Sequence, residues 1–402
     1  MGSWKRATWL AFPLVLVGAA LYLEPRSGVS KGTAGTQPLD PKITRTVRSF
    51  ATTDAGTGID RPGLRIDFFL EPEDFVDFRT AWSHYAEVEI AFEGGGRRRA
   101  LASIRGESSR RSEKKSLKVS LFEEQSFGEL AFDKFLLLNM LHDPGGFEMF
   151  TANRLLGEIG LFPAYQQYAM VYMNGESRGL YLLVERPEDA IRRSAPDTVS
   201  VLRPHRNGAT LKYSAQLSAP LLLNDRLRQL ARGGGGSESI EELERVINLD
   251  KYLAWLAFNS LVENGDARDE LFLYETRAPG QELGRLEISA WDYDDLQEAP
   301  LGTDAMDDPL LYACEMELDF LIRRSPELYG RYRRVLYELL TATFTEEVLR
   351  SAIDEVGEIL ATVGPANASG RASPSTVDSM APLKAFEQRL LRRRRDLLAR
   401  LD

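Results

Sequence analysis

Two segments decide the fold class: Asn264-Gly-Asp-Ala-Arg-Asp-Glu-Leu-Phe-Leu-Tyr-Glu275 and Arg285-Leu-Glu-Ile-Ser-Ala-Trp-Asp-Tyr-Asp-Asp295. A strongly apolar helical run, Leu249–Val262, leads into the first, with Asn248 as its candidate cap. Each segment then contains a strand-like run, and the turn-rich RAPGQELG separates the two. A helix feeding a hairpin reads as α+β. If the strands pair antiparallel, the start of the first lies beside the end of the second. Asp269 and Asp292 then become neighbours, with Asp266 just upstream and Asp294 just downstream. Carboxylates gathered in this way repel one another unless they share a cation or a proton. Magnesium takes one or two carboxylates together with substrate phosphates at an open site, so the arrangement suits a nucleotide-borne metal. The plainer reading is a set of solvated loop-end acids. Trp291 and Leu296, which bracket the acids with apolar anchors, favour a site.

Upstream the pattern is strand-rich. Leu64–Leu70 alternates, residues 73–82 are helix-like, and Val88–Phe92 and Ala100–Arg105 flank Gly94-Gly95-Gly96 as a hairpin. The basic block IRGESSRRSEKKSLKV, 104–119, opens the next strand. Its Ser108 and Ser109 can offer hydroxyls to phosphate, and a lysine at the strand's start can reach phosphate oxygens. Taken alone, this block reads as a solvated basic loop. No GxxxxGK[ST] pattern occurs, which excludes ordinary P-loop chemistry. Phe147–Ile159 has helical spacing and stops at Gly160, and Asn174-Gly175 marks a hairpin between Gln167–Met173 and Gly179–Glu185. A glycine run at 233–236 precedes an acidic helix. Beyond the central stretch, 326–343, 345–360 and 383–401 are helical, the last arginine-rich, with a Gly/Ser/Pro loop over 364–381.

The 402 residues are 43% hydrophobic, enough for one large or two modest cores. A formal charge of -10 argues against a duplex nucleic-acid binder, so no nucleic-acid partner is expected. One cysteine, Cys314, and three scattered histidines give poor support to a disulfide framework, a Cys/His zinc site or a cysteine-protease dyad. Chemistry must then run on carboxylates, lysines, hydroxyls and backbone. Lys5 and Arg6 precede the apolar run Thr8–Leu23, which reads as an N-terminal signal-anchor or a cleaved signal peptide over 1–23. The run is shorter than the roughly 20 residues of a full span, and Gly18-Ala19-Ala20 offers a cleavage site. Either way the remainder is expected outside the cytoplasm, membrane-anchored or secreted. Residues 24–60 read as a flexible linker and 61–402 as the folded domain, with a lobe boundary near 186–247.

Read in order, LASIRGESSRRSEKKSLKVSL, FLLLNMLHDPGG, VYMNGESRGLYLLVERPED, NLDKYLAWLAFNSLVENGDARDELFLYE and LEISAWDYDD resemble the CotH (spore coat protein H) kinase family, over about 64–402. The resemblance implies an atypical, two-lobed, secretory-type protein-kinase fold, its N-terminal lobe strand-rich and its C-terminal lobe helix-rich. It also implies ATP and Mg2+ or Mn2+ as cofactors and Ser/Thr of a protein as substrate. Phosphoryl transfer needs a lysine on the phosphates, a base for the hydroxyl and acidic metal ligands. Lys115 matches the family's phosphate lysine, with Lys114 and Lys118 as near alternatives, and Ser108 and Ser109 match the loop over the phosphates. Asp266 matches the catalytic aspartate and Asp292 the metal ligand, assisted by Asp294. Glu185 falls at a position commonly glutamate in the family, lining the nucleotide pocket or simply ending its strand. Arg389 lies near a terminal arginine of the family and reads as a surface charge.

Two departures stand out. Asp269-Glu270 occupies a place where many relatives carry asparagine, which would put extra negative charge beside the metal. Gly145-Gly146-Phe147-Glu148 replaces a helix start that is often arginine, so a salt bridge there is expected to be absent or reversed. The competing reading is therefore a catalytically inactive scaffold for envelope or coat assembly. A carboxylate-pair hydrolase is a third class, but it needs no lysine beside phosphates.

Overall fold

The computed structural model describes residues 63–71, 85–106, 112–143, 145–205, 208–215, 221–233, 237–265, 270–277, 280, 284–294, 296, 308–312, 314–363 and 380–402. The apolar N-terminal run, the linker, the 73–82 helix, Ser108, Ser109, Asp266, Asp269 and most of the 364–381 loop lie outside these residues. Among the described residues, no helix is long and apolar enough to cross a membrane.

The first part of the chain is a closed barrel. Its strands are β1 (Leu64–Phe69), β2 (Ala86–Phe92), β3 (Arg98–Arg105), β4 (Ser116–Phe127), β5 (Leu130–Leu138), β6 (Gln166–Met173) and β7 (Glu176–Glu185), in the order β1-β2-β3-β4-β5-β7-β6. Neighbours pair antiparallel except at the seam, where β1 runs parallel to β6 with Leu64 opposite Ala169. Strict alternation sends Ala100, Ala102, Leu117 and Val119 into the barrel and turns Ser103, Arg105, Ser116 and Lys118 outward. Strands β5 and β7 instead carry near-continuous apolar runs, FLLL and LYLLV, because both of their faces are buried. Phe135, Leu137, Tyr181 and Leu183 fill the interior, while Leu136, Leu138, Leu182 and Val184 pack outward into a second core.

That second core gathers most of the helices. They are α1 (Glu148–Glu158), α2 (Pro187–Ser194), α3 (Leu222–Gly233), α4 (Ser237–Val246), α5 (Leu249–Val262), α6 (Glu317–Arg324), α7 (Pro326–Glu338), α8 (Glu346–Val363) and α9 (Met380–Leu401). Helix α5 is buried on every side, which is why its sequence lacks a polar face. Asn248 caps it by accepting from Lys251 N at 3.3 Å. Beside the helices lies a four-stranded antiparallel sheet, β11-β10-β8-β9, built from β8 (Thr198–His205), β9 (Gly208–Ser214), β10 (Leu271–Thr276) and β11 (Arg285–Ala290).

The α+β reading holds. The strand-rich half, however, is a closed barrel, and the helix-rich half contains a sheet of its own. The helix expected over 326–343 ends at Glu338 and widens into a π turn, Leu339–Thr343.

Candidate functional site

The β10–β11 hairpin forms as expected, with Leu271 opposite Ala290, and Trp291 N extends it by donating to Glu270 O at 2.8 Å. The backbone then breaks sharply at Asp292, whose φ of 64° is left-handed. Few residue types other than glycine tolerate that conformation, and aspartate is one of them. Trp291 packs edge-on to Phe272, and Tyr293 is fully buried with its hydroxyl donating to Asn259 Oδ1 at 2.6 Å. The two rings clamp the turn, so Asp292 and Asp294 project from it partly exposed. Asn264 bridges to Leu296, as Glu270 does to Trp291.

Opposite this turn stands the outer face of β3 and β4. Arg105 ends β3 with its guanidinium 5.5 Å from the Trp291 ring centre and 3.9 Å from Asp292 Oδ2. Burial lowers its pKa, and Asp292 partly opposes that effect. Lys118, on the same face, donates to the Tyr85 hydroxyl at 2.8 Å, and this bond lowers the phenol's pKa. From the second sheet, Arg203 on β8 also approaches Asp292 Oδ2 at 3.9 Å. Lys212 on the neighbouring β9 keeps access to solvent, yet the protein mass around it, then Arg203, lower its pKa; Arg105 and Lys118 act the same way. Among the described residues, two guanidiniums thus approach Asp292.

The residues expected at the site divide accordingly. Asp292 lies against Arg105 and Arg203, Asp294 is close enough for its charge to act on Arg105, and Lys118 shares the outer barrel face with Arg105 but bonds Tyr85. Lys115 is half-buried at the entry to β4. Lys114 turns away. Its amine donates to Asn139 O at 3.1 Å and to Leu180 O, above the Tyr181 ring, and burial pulls its pKa to about 7. A neutral amine still supplies both donors, so Lys114 is a tie between strands. Glu185 is buried at the end of β7, opposite Phe135 of the barrel interior. Its oxygens take Arg193 at 2.6 Å and Tyr165 N at 3.1 Å. It orders the barrel's end and does not line the cleft.

Of the pair Asp269-Glu270, only Glu270 lies within the described residues. Its carboxylate is buried and accepts from Asn264, and its charge adds to burial in raising the pKa of Tyr293, so it lies on the core side of the turn. At the start of α1, Glu148 pairs with Arg389 at 3.6 Å, which is the reversed polarity. Arg389 is thus half-exposed but engaged. The residues the sequence did not single out are Arg105, Tyr85, Arg203 and Lys212. Arg105 stood inside the basic block, and Asn207-Gly208, a hairpin dipeptide, pointed to the strands that carry Arg203 and Lys212.

Among the described residues, no three His, Cys, Asp or Glu side chains form a ready metal cage. Asp292 and Asp294 on one turn fit a cation that brings its remaining oxygens from phosphate and water. A separate cavity of about 250 Å³, lined by Asn224, Leu227, Tyr252 and Phe320 among others, includes none of these charged groups.

The fold is thus an α+β protein in which a barrel face bearing cations is set against a turn that projects two acids. The family model described as CotH kinase protein matches residues 102–382, most of the chain, and the chain belongs to that family. No curated protein matches it.

Proposed function

We propose that the chain is an extracytoplasmic CotH-like protein kinase that transfers the γ-phosphate of ATP to Ser or Thr of envelope or coat proteins. The barrel and the helical part act as the two lobes of a kinase-like fold. The observation that carries this reading is Asp292, in a left-handed turn clamped by buried aromatics, 3.9 Å from Arg105 on the outer barrel face that also bears Lys118. Location outside the cytoplasm rests on the basic and apolar N-terminal run.

Asp292 and Asp294 would hold Mg2+ or Mn2+, which neutralises phosphate charge when bound. Lys118, with Lys115 nearby in sequence, would hold phosphate oxygens, and Ser108 and Ser109 would cover them. Asp266, two residues from the pinned Asn264, would take the proton of the substrate hydroxyl.

The second reading, an inactive scaffold, draws on the two guanidiniums beside Asp292, whose charge opposes a cation there. Transfer of labelled γ-phosphate from ATP and Mn2+ to the protein itself and to a Ser/Thr-rich acceptor separates the two. Incorporation should fall at least about 100-fold in Asp292→Ala, as loss of a principal electrostatic group does. Equal incorporation by the two forms would overturn the catalytic reading.

A further inference from the structure

The cavity of about 250 Å³ lies between α3, α6 and the second sheet. Helix α3 gives it Leu227 and Ala231, α6 gives Leu318 and Phe320, and Pro204 of β8 and Leu273 of β10 line it from the sheet. Leu273 pairs with Leu202, and Pro204 lies two residues on, so both stand on one face of that sheet. Arg203 stands on the other face, toward Asp292. The sheet thus separates this cavity from the cleft. Most polar groups around the cavity are already engaged. Glu317 Oε1 takes Arg228 at 2.9 Å and Arg232 at 2.6 Å, the Tyr252 hydroxyl donates to Asp319 at 2.5 Å, and His205 and Glu315 hold interactions of their own. Asn224 differs. It is 4% exposed, it lines the cavity from α3, and its amide meets no hydrogen-bond partner among the described residues. A buried amide without a partner costs stability, and native folds leave few of them.

We propose that this cavity binds a small, neutral, largely apolar ring compound whose lactam or carboxamide edge pairs with Asn224. The Asn224 side chain offers an acceptor and a donor side by side, and an amide edge answers both. A charged ligand gains little here, because Glu317 and the two arginines at the rim already pair. The volume of about 250 Å³ exceeds the roughly 150 Å³ that takes benzene, so two fused rings fit. The proposal needs neither ATP nor phosphate transfer.

Calorimetric titration of the full chain with isocarbostyril, a neutral bicyclic lactam, tests this, with isoquinoline as the analogue that keeps both rings and lacks the amide edge. The lactam should bind at least about tenfold more tightly, because isoquinoline leaves the Asn224 amide incompletely paired. Saturating ATP with Mn2+ should not displace it. Asn224→Leu, of similar volume, should bind the two compounds equally. Its ligand-free form should melt above the natural protein, because the unpaired amide is gone, and misfolding cannot mimic that gain. No saturable binding of the lactam, equal affinity of the natural protein for both compounds, or displacement by ATP would overturn the proposal. So would an Asn224→Leu form that keeps the preference or fails to melt above the natural protein. Absence of phosphate transfer with ATP and Mn2+ would sink the kinase reading and leave these titrations standing.

Discussion

Asp143 shows how much a single carboxyl can organise. It is almost fully buried, and its two oxygens accept from Phe147 N and Met149 N, both at 3.1 Å, closing the free N–H groups at the start of α1. Burial pushes its pKa up to about 6 against those bonds. The folded chain therefore holds this proton more tightly than the unfolded chain. The stability that comes from protonated Asp143 is complete below about pH 4 and is lost as pH rises through about 6. Asp143→Asn, which cannot ionise, should gain on the natural protein across that window, by about 3 kcal/mol at most. Urea unfolding of both forms from pH 4 to pH 7 reads the difference. A flat difference would mean that the helix N–H groups keep the carboxylate ionised. The same residue scale explains what the sequence could and could not tell about the site. Asp292 and Asp294 were legible because the apolar anchors Trp291 and Leu296 bracket them. The choice among Lys114, Lys115 and Lys118 was not, because it turns on strand parity and on carbonyls contributed by β7 and the turn after β5. Arg105 and Arg203 looked like any other surface arginines.

At the scale of elements, the arginine-rich last helix reads in sequence as a solvated charge run. In the fold, two of its arginines hold carbonyls that other elements leave open. Arg393 Nε donates to Ser260 O of α5 at 2.9 Å. Arg394 reaches the π turn after α7, donating from Nε to Phe344 O at 2.8 Å and from Nη2 to Leu340 O at 2.8 Å. A widened turn disrupts the helical ladder, and a guanidinium fork suits its exposed carbonyls. Arg394→Ala should cost about 1–3 kcal/mol in urea unfolding, because buried acceptors lose their donors. Arg394→Lys should recover less than half, since an ammonium cannot fork. Arg395→Ala, at an exposed position, should stay within about 0.5 kcal/mol. If all three behaved alike, the contacts of Arg394 would carry no stability. The hairpins at Gly94-Gly95-Gly96 and Asn174-Gly175 were legible from turn chemistry. The π turn was not, because no residue pattern over 339–343 marks it and the arginine that serves its carbonyls lies about 50 residues away.

At the scale of the molecule, the closed barrel is what alternation alone could not show. Period-two patterning fixes which face of a strand is apolar, but not whether the last strand returns to the first. Closure here depends on the parallel seam between β1 and β6, and one side chain extends that seam beyond the strands. Asn174, at the β6–β7 turn with a left-handed φ of 49°, accepts from Leu70 N and donates to Leu70 O, both at 2.9 Å. An amide side chain thus imitates one more residue of strand pairing. Asn174→Gly keeps the turn conformation, which glycine adopts freely, and removes both bonds. It should lower unfolding free energy by about 1–2 kcal/mol. Asn174→Asp should lose at least as much, since it keeps the acceptor but sets a carboxylate against Leu70 O. In the strand order β1-β2-β3-β4-β5-β7-β6, the seam lies across the barrel from β3 and β4, whose outer face carries Arg105 and Lys118. Asn174→Gly should therefore leave affinity for ATP with Mn2+ within about twofold at temperatures well below unfolding, because distant sites without shared partners act independently. A large loss of affinity would instead mean that barrel closure sets the position of the cleft cations, and that the seam and the site are one cooperative unit.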